Sequence, residues 1–349
     1  MEFIIEYGLF LAKAVTVLIA IAVVLALVAN SKNRPDSDGH IEVTKVNEKL
    51  DDYTETIKSA VLDSTALKLE NKLKKKREKA RKRKDKSAKT ELEPGAERKK
   101  RLYVLNFDGD IKASAGNNLR EEITAVLGLA ESQDEVLVRL ESGGGMVHSY
   151  GLAASQLSRI KERGIPLTVS VDKVAASGGY MMACVADKIV AAPFAILGSI
   201  GVVAQLPNFH RLLKKNNIDF EMYTAGEYKR TVTMFGENTD KGREKFTDDL
   251  EQTHVLFKEF VAENRPQVEV EQVATGEVWY GKRALDIRLI DEVITSDGYL
   301  LNQHPDADIF EVTYAHKKTL PERLGLAAEA SLDKVLLRWL SRMQPNRWF

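Results

Sequence analysis

Apolar positions are distributed in four regimes along this chain. From Tyr7 to Ala29 they run almost unbroken: Lys13 is the one charge, and Ala14–Ala29 reads AVTVLIAIAVVLALVA. A helix rising ~1.5 Å per residue carries such a run across the ~30 Å hydrocarbon layer of a bilayer. It has no polar face, which argues against a soluble core helix. A cleaved signal peptide calls for a basic leading segment and small residues before the cut. Glu2 and Glu6 occupy that segment, and Leu27-Val28-Ala29 offers only the alanine. Residues 1–30 are therefore expected to be an uncleaved, single-pass transmembrane anchor. Lys32, Arg34, Lys45 and Lys49 follow the span, and the positive-inside rule then puts the bulk of the chain in the cytoplasm.

Residues 31–101 read as a linker. They begin polar, around Pro35, Asp36 and Gly39, then carry sparse helix-spaced apolar positions from about Val46 to Lys89, including Leu50, Ile57, Val61 and Leu69. The stretch becomes almost purely charged before Pro94-Gly95 ends it.

Residues 102–300 alternate strand-like and helix-like runs. Leu102–Phe107, Glu135–Leu140, Leu167–Val171, Lys188–Ala191 and Phe220–Tyr223 are the expected strands; Leu119–Leu129, Val147–Arg163 and Arg243–Asn264 are the expected helices. That alternation predicts an α/β domain with a largely parallel sheet. Met181–Ala204 is long enough to span a bilayer, but Asp187, Lys188 and Pro193 interrupt it, so it is assigned to the soluble core. Residues 301–349 are expected to be a partly helical extension, with Leu336, Leu337, Trp339 and Leu340 at helical spacing.

Composition and charge narrow this picture. A 44% hydrophobic and 29% charged chain is neither disordered nor a polytopic membrane protein. Cys184 is the single cysteine, which excludes an intramolecular disulfide framework and a multi-cysteine zinc site. The zero net charge hides segregation: residues 68–101 hold 17 Lys+Arg against 6 Asp+Glu, leaving 34 against 45 elsewhere. The basic run fits a solvated tether, and near an anchor it also fits anionic lipid headgroups at ~1 kcal/mol per Lys or Arg. It lacks interleaved aromatics, so no nucleic-acid partner is expected.

Two places carry candidate chemistry. Gly143-Gly144-Gly145 follows a strand and precedes a helix; such a turn is a plain tight turn, a phosphate cradle or an oxyanion hole. Ser177, between Ala175-Ala176 and Gly178-Gly179, is a nucleophile or only a helix N-cap. Among the six histidines, His148 alone starts a helix near a glycine turn, so no Ser-His-Asp triad stands out. Ser170 and Lys173 match S-x-x-K, but that motif needs a helix and Ser170 falls in a strand. A distant lysine remains as the base.

Six segments, in order, resemble the signal peptide peptidase A family of serine peptidases. They are Glu141–Gly145, Gly151–Ser155, Val174–Tyr180, Leu197–Val202, Gly226–Arg230, and Gly276–Trp279 through Leu289–Asp291. Position 143 is Gly where many relatives have Pro. The anchor and basic extension resemble the family's membrane-anchored branch. The resemblance implies a ClpP/crotonase-like spiral of ββα units and a Ser–Lys dyad. Ser177 would be the nucleophile, Lys229 the general base, and Ser199 the group holding the lysine amine. The N–H groups of Gly144 and Gly178 would form the oxyanion hole. It also implies no metal and no cofactor, peptide substrates such as signal peptide remnants, a ring-like homo-oligomer, and a bacterial inner-membrane location. Family precedent puts the catalytic domain on the outer face, opposite to the Lys/Arg count. A free lysine, with a pKa of about 10.4, is a poor base at neutral pH, and the dyad is expected to rely on burial to neutralise it. Crotonase-type acyl-CoA chemistry and a non-catalytic anchored scaffold are the rival readings.

Overall fold

The computed structural model describes residues 39–63 and 98–316, together with isolated positions at 7, 8, 11, 13, 15, 16, 65, 72 and 76. Most of the expected anchor, most of the basic run and the extension beyond His316 lie outside the described residues. Among the described residues, no helix is long and apolar enough to cross a membrane.

In chain order the elements are β1 (His40–Lys45), α1 (Val46–Val61), β2 (Lys100–Gly109), α2 (Gly116–Leu127), β3 (Glu135–Ser142) and α3 (Val147–Glu162). Next come β4 (Leu167–Val171), β5 (Val174–Ala176), α4 (Gly178–Ala183), β6 (Lys188–Ala191), β7 (Ile196–Gly198) and α5 (His210–Lys215). The remainder are α6 (Asp240–Asn264), α7 (Val270–Val273), β8 (Val278–Tyr280), α8 (Gly281–Asp286), β9 (Glu292–Val293), α9 (Ser296–Gln303) and β10 (Ala307–Ala315). The mixed α/β class expected from the alternation is present.

The strands join in one sheet of order β1-β10-β2-β3-β4-β6-β9. The pairs from β10 to β9 are parallel. Its centre is buried on both faces, which is why β2, β3 and β4 read as nearly continuous apolar runs rather than alternating ones. One face packs against α2 and α3 through Leu119, Ile123, Tyr150, Leu157 and Ile160, all at helical spacing. On the other face Leu102, Val104, Leu137, Val190 and Ile309 meet Tyr299 and Leu300 of α9. Each such aliphatic side chain contributes about 1.5–3 kcal/mol by leaving water.

A branch in the sheet places the site. Strand β4 pairs with β3 over Val136–Arg139. The chain then leaves β4 at Asp172-Lys173 and pairs again as β5, Ser142 opposite Ala175. Strand β5 in turn pairs with β7, whose other neighbour is the antiparallel β8. The end of β3 and the end of β5 are thereby adjacent, and the glycine turn after one faces the helix start after the other. All six residues of α4 are buried, so the apolar stretch from Met181 is core rather than a second span. Arg265, only 1% exposed, closes the end of α6 with two 2.9 Å bonds to Asp291 and one to the Arg288 carbonyl.

Three expectations differ from the structure. Phe220–Tyr223 is not a strand; its residues are exposed and pair with nothing in the sheet. Short apolar alternation makes a strand only where an edge is available to pair with. The sheet also extends beyond 102–300: β1 lies in the polar stretch assigned to the linker, and β10 in the segment assigned to the C-terminal extension. Asn47, at the start of α1, ties these ends together. Its side chain donates to Ala307 O at 3.0 Å and accepts from Ile309 N at 2.6 Å.

Candidate active site

Ser177 sits between β5 and α4 with φ 52° and ψ −117°. A non-glycine residue in this left-handed region is strained by ~1–3 kcal/mol and must be held by its surroundings. Two bonds do so: Ser177 N–H donates to Gly198 O at 2.8 Å, and Ser177 O accepts from Met181 N at 2.9 Å. The side chain makes no capping hydrogen bond, so the N-cap explanation for this serine fails. Its hydroxyl stands free at a helix start, where the dipole favours developing negative charge.

The glycine turn meets it directly. Gly144 has φ +89°, and a Cβ there would lie 2.7 Å from Gly178 N and 2.8 Å from Ser177 Cβ. Only glycine permits this approach. The N–H of Gly144, however, donates to Ser142 Oγ at 3.1 Å, and Ser142 Oγ is fixed in turn by Tyr150 Oη at 2.5 Å. Gly144 therefore shapes the turn, and its N–H rests on the Ser142 hydroxyl. Gly145 and Gly178 line the pocket that contains Ser177, and neither N–H finds an acceptor among the described residues. Gly178 follows Ser177 directly, at the first position of α4. Gly145 was legible only as the third member of the triple glycine.

The rest of that pocket is formed by Val147, Met181, Gly201, Val202, Thr253 and Phe257. Thr253 and Phe257 come from α6, and nothing in the sequence near Ser177 announces them. The lining is mainly apolar and carries no charge, and the space it encloses is about 20 Å³, room for about one water molecule.

Ser199 also has a positive φ, 50°. Its N–H donates to Glu277 O at 2.6 Å, and its predecessor Gly198 is the residue that accepts from Ser177. Ser177 and Ser199 therefore lie at the ends of the paired strands β5 and β7. Lys229 does not join them: it is exposed and absent from the pocket lining. Its neighbour Glu227 is engaged by Lys241 at 2.7 Å, and the Tyr228 ring lies 5.9 Å from the ammonium groups of Lys241 and Lys245. The expected burial of Lys229 is thus not provided by the described residues. His148 is exposed. Cys184 is no rival nucleophile: it is fully buried, and burial pushes its thiol up to about 12.

Residues 2–157 match the model of the peptidase family S49 N-terminal region, and residues 159–309 match that of peptidase family S49. A protein named "Probable protease SohB" from Haemophilus influenzae is 49% identical over 341 residues, covering 96% of each chain. A protein of the same name from Buchnera aphidicola is 46% identical over 339 residues, covering 97% of this chain and 98% of that protein. The "Putative signal peptide peptidase SppA" of Enterococcus faecium is 26% identical over 256 residues, 70% of this chain and 74% of that one. Among solved structures, a mutant 1510-N membrane-bound stomatin-specific protease aligns with a TM-score of 0.41 at 13% identity, covering 65% of this chain and 96% of that one. The chain belongs to peptidase family S49.

Proposed function

We propose that the protein is a membrane-anchored serine endopeptidase working through a Ser177–Lys229 dyad on a ClpP/crotonase-like spiral. The observation that carries this is Ser177 itself: a strained serine with an uncommitted hydroxyl, beside the free N–H groups of Gly178 and Gly145. In the reaction, Ser177 Oγ attacks the scissile carbonyl carbon while its proton passes to the neutral Lys229 amine. The carbonyl oxygen becomes an oxyanion held by the two N–H groups. Collapse breaks the C–N bond, and the Lys229 ammonium returns the proton to the leaving amine. Water then adds to the acyl-enzyme by the same route and frees Ser177. Ser199 Oγ orients the lysine amine.

Lys229 is exposed in the single chain, so its neutralisation is assigned to assembly. In the stretch of chain before it, Val203, Leu206, Leu212, Phe220, Met222 and Tyr223 also stand exposed, apolar residues of the kind that copies of a chain bury against one another. The substrates are apolar peptides, signal peptide remnants among them, matching the uncharged pocket. The anchor at residues 1–30 keeps the enzyme beside such peptides in a bacterial inner membrane. Labelling by a serine-directed fluorophosphonate tests the reading: wild type should be modified at Ser177 and Ser177→Ala should not. Acyl-CoA chemistry and a silent scaffold both predict no label.

A further inference from the structure

On the sheet face that carries α9, Asn106, Arg139 and Ser170 stand in register on β2, β3 and β4. Two residues on, Asp108 pairs with Glu141, and Asp172 follows β4. With Ser296 and Asp297 from the start of α9, these residues enclose a cavity of about 400 Å³ that shares no lining residue with the Ser177 pocket. Four carboxylates line it against one guanidinium, and that guanidinium is already committed: Arg139 bonds Asn106 at 2.8 Å and Glu311 at 2.5 Å. Asp172 is used by Ser296, and Glu141 by Lys173. Asp108 and Asp297 make no hydrogen bond or ion pair among the described residues. Ser170, 1% exposed, leaves its Oγ without a partner. A buried hydroxyl without a bond is uncommon and needs an occupant to explain it. The four carboxylates and the unpartnered hydroxyl suit a positively charged hydrogen-bond donor on a flexible stem.

We propose that this cleft docks the chain's own polybasic segment, Lys72–Lys86, with one ammonium or guanidinium group bonded to Ser170 Oγ between Asp108 and Asp297. The segment holds eleven Lys and Arg against Glu78 and Asp85, which complements the acidic lining. Reach is no obstacle. The twelve residues from Lys86 to Arg98 can span at most ~40 Å, whereas the run from Arg98 to Asp108 along β2 covers ~33 Å. The site stands apart from the peptidase reading and survives if that reading fails.

Brief trypsin treatment of the full-length protein in detergent is the test. Three proteins are compared: wild type, the cleft variant Asp108→Asn/Asp297→Asn, and a control, Glu259→Gln/Glu263→Gln, which removes exposed acids from α6. At about 50 mM salt, cleavage within Lys72–Lys86 should be roughly fivefold faster in the cleft variant than in the other two, and the gap should close near 1 M, where the screening length falls to about 3 Å. Ser170→Ala should also speed cleavage. Unchanged thermal unfolding confirms that the variants are folded. Equal rates in all three proteins, or protection that vanishes on roughly hundredfold dilution and so comes from a second copy, overturns the proposal.

Discussion

Ser177 N–H donates to Gly198 O at 2.8 Å, and this one bond ties the positive-φ serine to the end of β7, where Ser199 follows. The two hydroxyl residues are thereby set at neighbouring strand ends by backbone pairing, whatever their side chains are. The Ser177 side chain can then be changed without dismantling the frame that holds it.

Two substitutions at Ser177 should separate chemistry from stability. Ser177→Ala removes the hydroxyl and keeps the frame, so peptide cleavage should fall to background while the unfolding midpoint moves little. Ser177→Gly should be equally inactive yet more stable, by about 1 kcal/mol, because glycine adopts φ 52° without the Cβ penalty. Thermal melts beside a peptide-cleavage assay check both. Ser177→Ala with near wild-type turnover would remove the serine from the mechanism.

Glycines of this chain should differ sharply in tolerance. Gly144→Ala puts a Cβ within 2.8 Å of Gly178 N, Ala176 O and Ser177 Cβ, at φ +89°. Backbone must move, so we expect a loss of about 1–3 kcal/mol in stability and loss of fluorophosphonate labelling. Gly151 lies inside α3 with nothing within 4 Å of its missing Cβ. Gly151→Ala should stabilise by roughly 0.5–1 kcal/mol and leave labelling intact. Parallel behaviour of the two variants would contradict the turn geometry.

Much of this frame is legible in the sequence, and the failures have physical causes. Strands β2, β3, β4 and β6 announce themselves because a sheet covered on both faces must be apolar along its length. Helices α3 and α6 announce themselves by period. Strand β1, HIEVTK, does not: its residues are mostly exposed or half-buried, so it carries no core signature and is fixed by its neighbour β10. Phe220–Tyr223 misleads for the opposite reason, since its apolar residues face no partner strand within the chain. At the site, Ser177 and Gly178 are local features and can be read. The commitment of Gly144 N–H to Ser142, the free Gly145, and the arrival of Phe257 from α6 depend on tertiary contacts that spacing does not encode.

Acid stability should depend on a pair that precedes β2 and β3, Arg98 and Asp134. Burial alone would raise the Asp134 carboxyl. The Arg98 guanidinium, at 2.6 and 2.7 Å, and the N–H groups of Glu131 and Arg101 outweigh burial and hold its pKa below the ordinary aspartate value. A carboxylate with a lowered folded pKa stabilises the fold above its unfolded pKa of about 3.9, and the contribution is lost as pH falls through the folded value. Asp134→Asn should therefore cost about 1–3 kcal/mol at neutral pH, because Arg98 keeps only the exposed Glu131 as its carboxylate partner. The gap from wild type should narrow as pH drops below ~4. Denaturant melts followed by Trp fluorescence at several pH values measure this, and a gap independent of pH would contradict it.

The last prediction concerns Lys229 and the exposed surface around it. A base must give up its proton before it can accept one from Ser177, and a lysine in water at pH 7 is neutral only about once in a few thousand. The single chain leaves Lys229 exposed, so the dyad works only if something buries this residue. If assembly does so, two measurements should move together. Lys229→Arg should abolish cleavage while leaving the oligomer intact, since guanidinium keeps the charge but holds its proton. Replacing Leu212 and Phe220, both exposed in the same segment, by Asp should break the oligomer and abolish cleavage, yet leave the Ser177 turn folded within each copy. Mass measured in mild detergent beside the cleavage rate reads both outcomes. A Lys229→Arg enzyme retaining most of its rate would exclude Lys229 as the base, and His148 would be the next group to replace. A monomeric Leu212→Asp/Phe220→Asp protein at full rate would instead spare the dyad and remove assembly from the mechanism, because Lys229 would then have to be buried by the substrate itself.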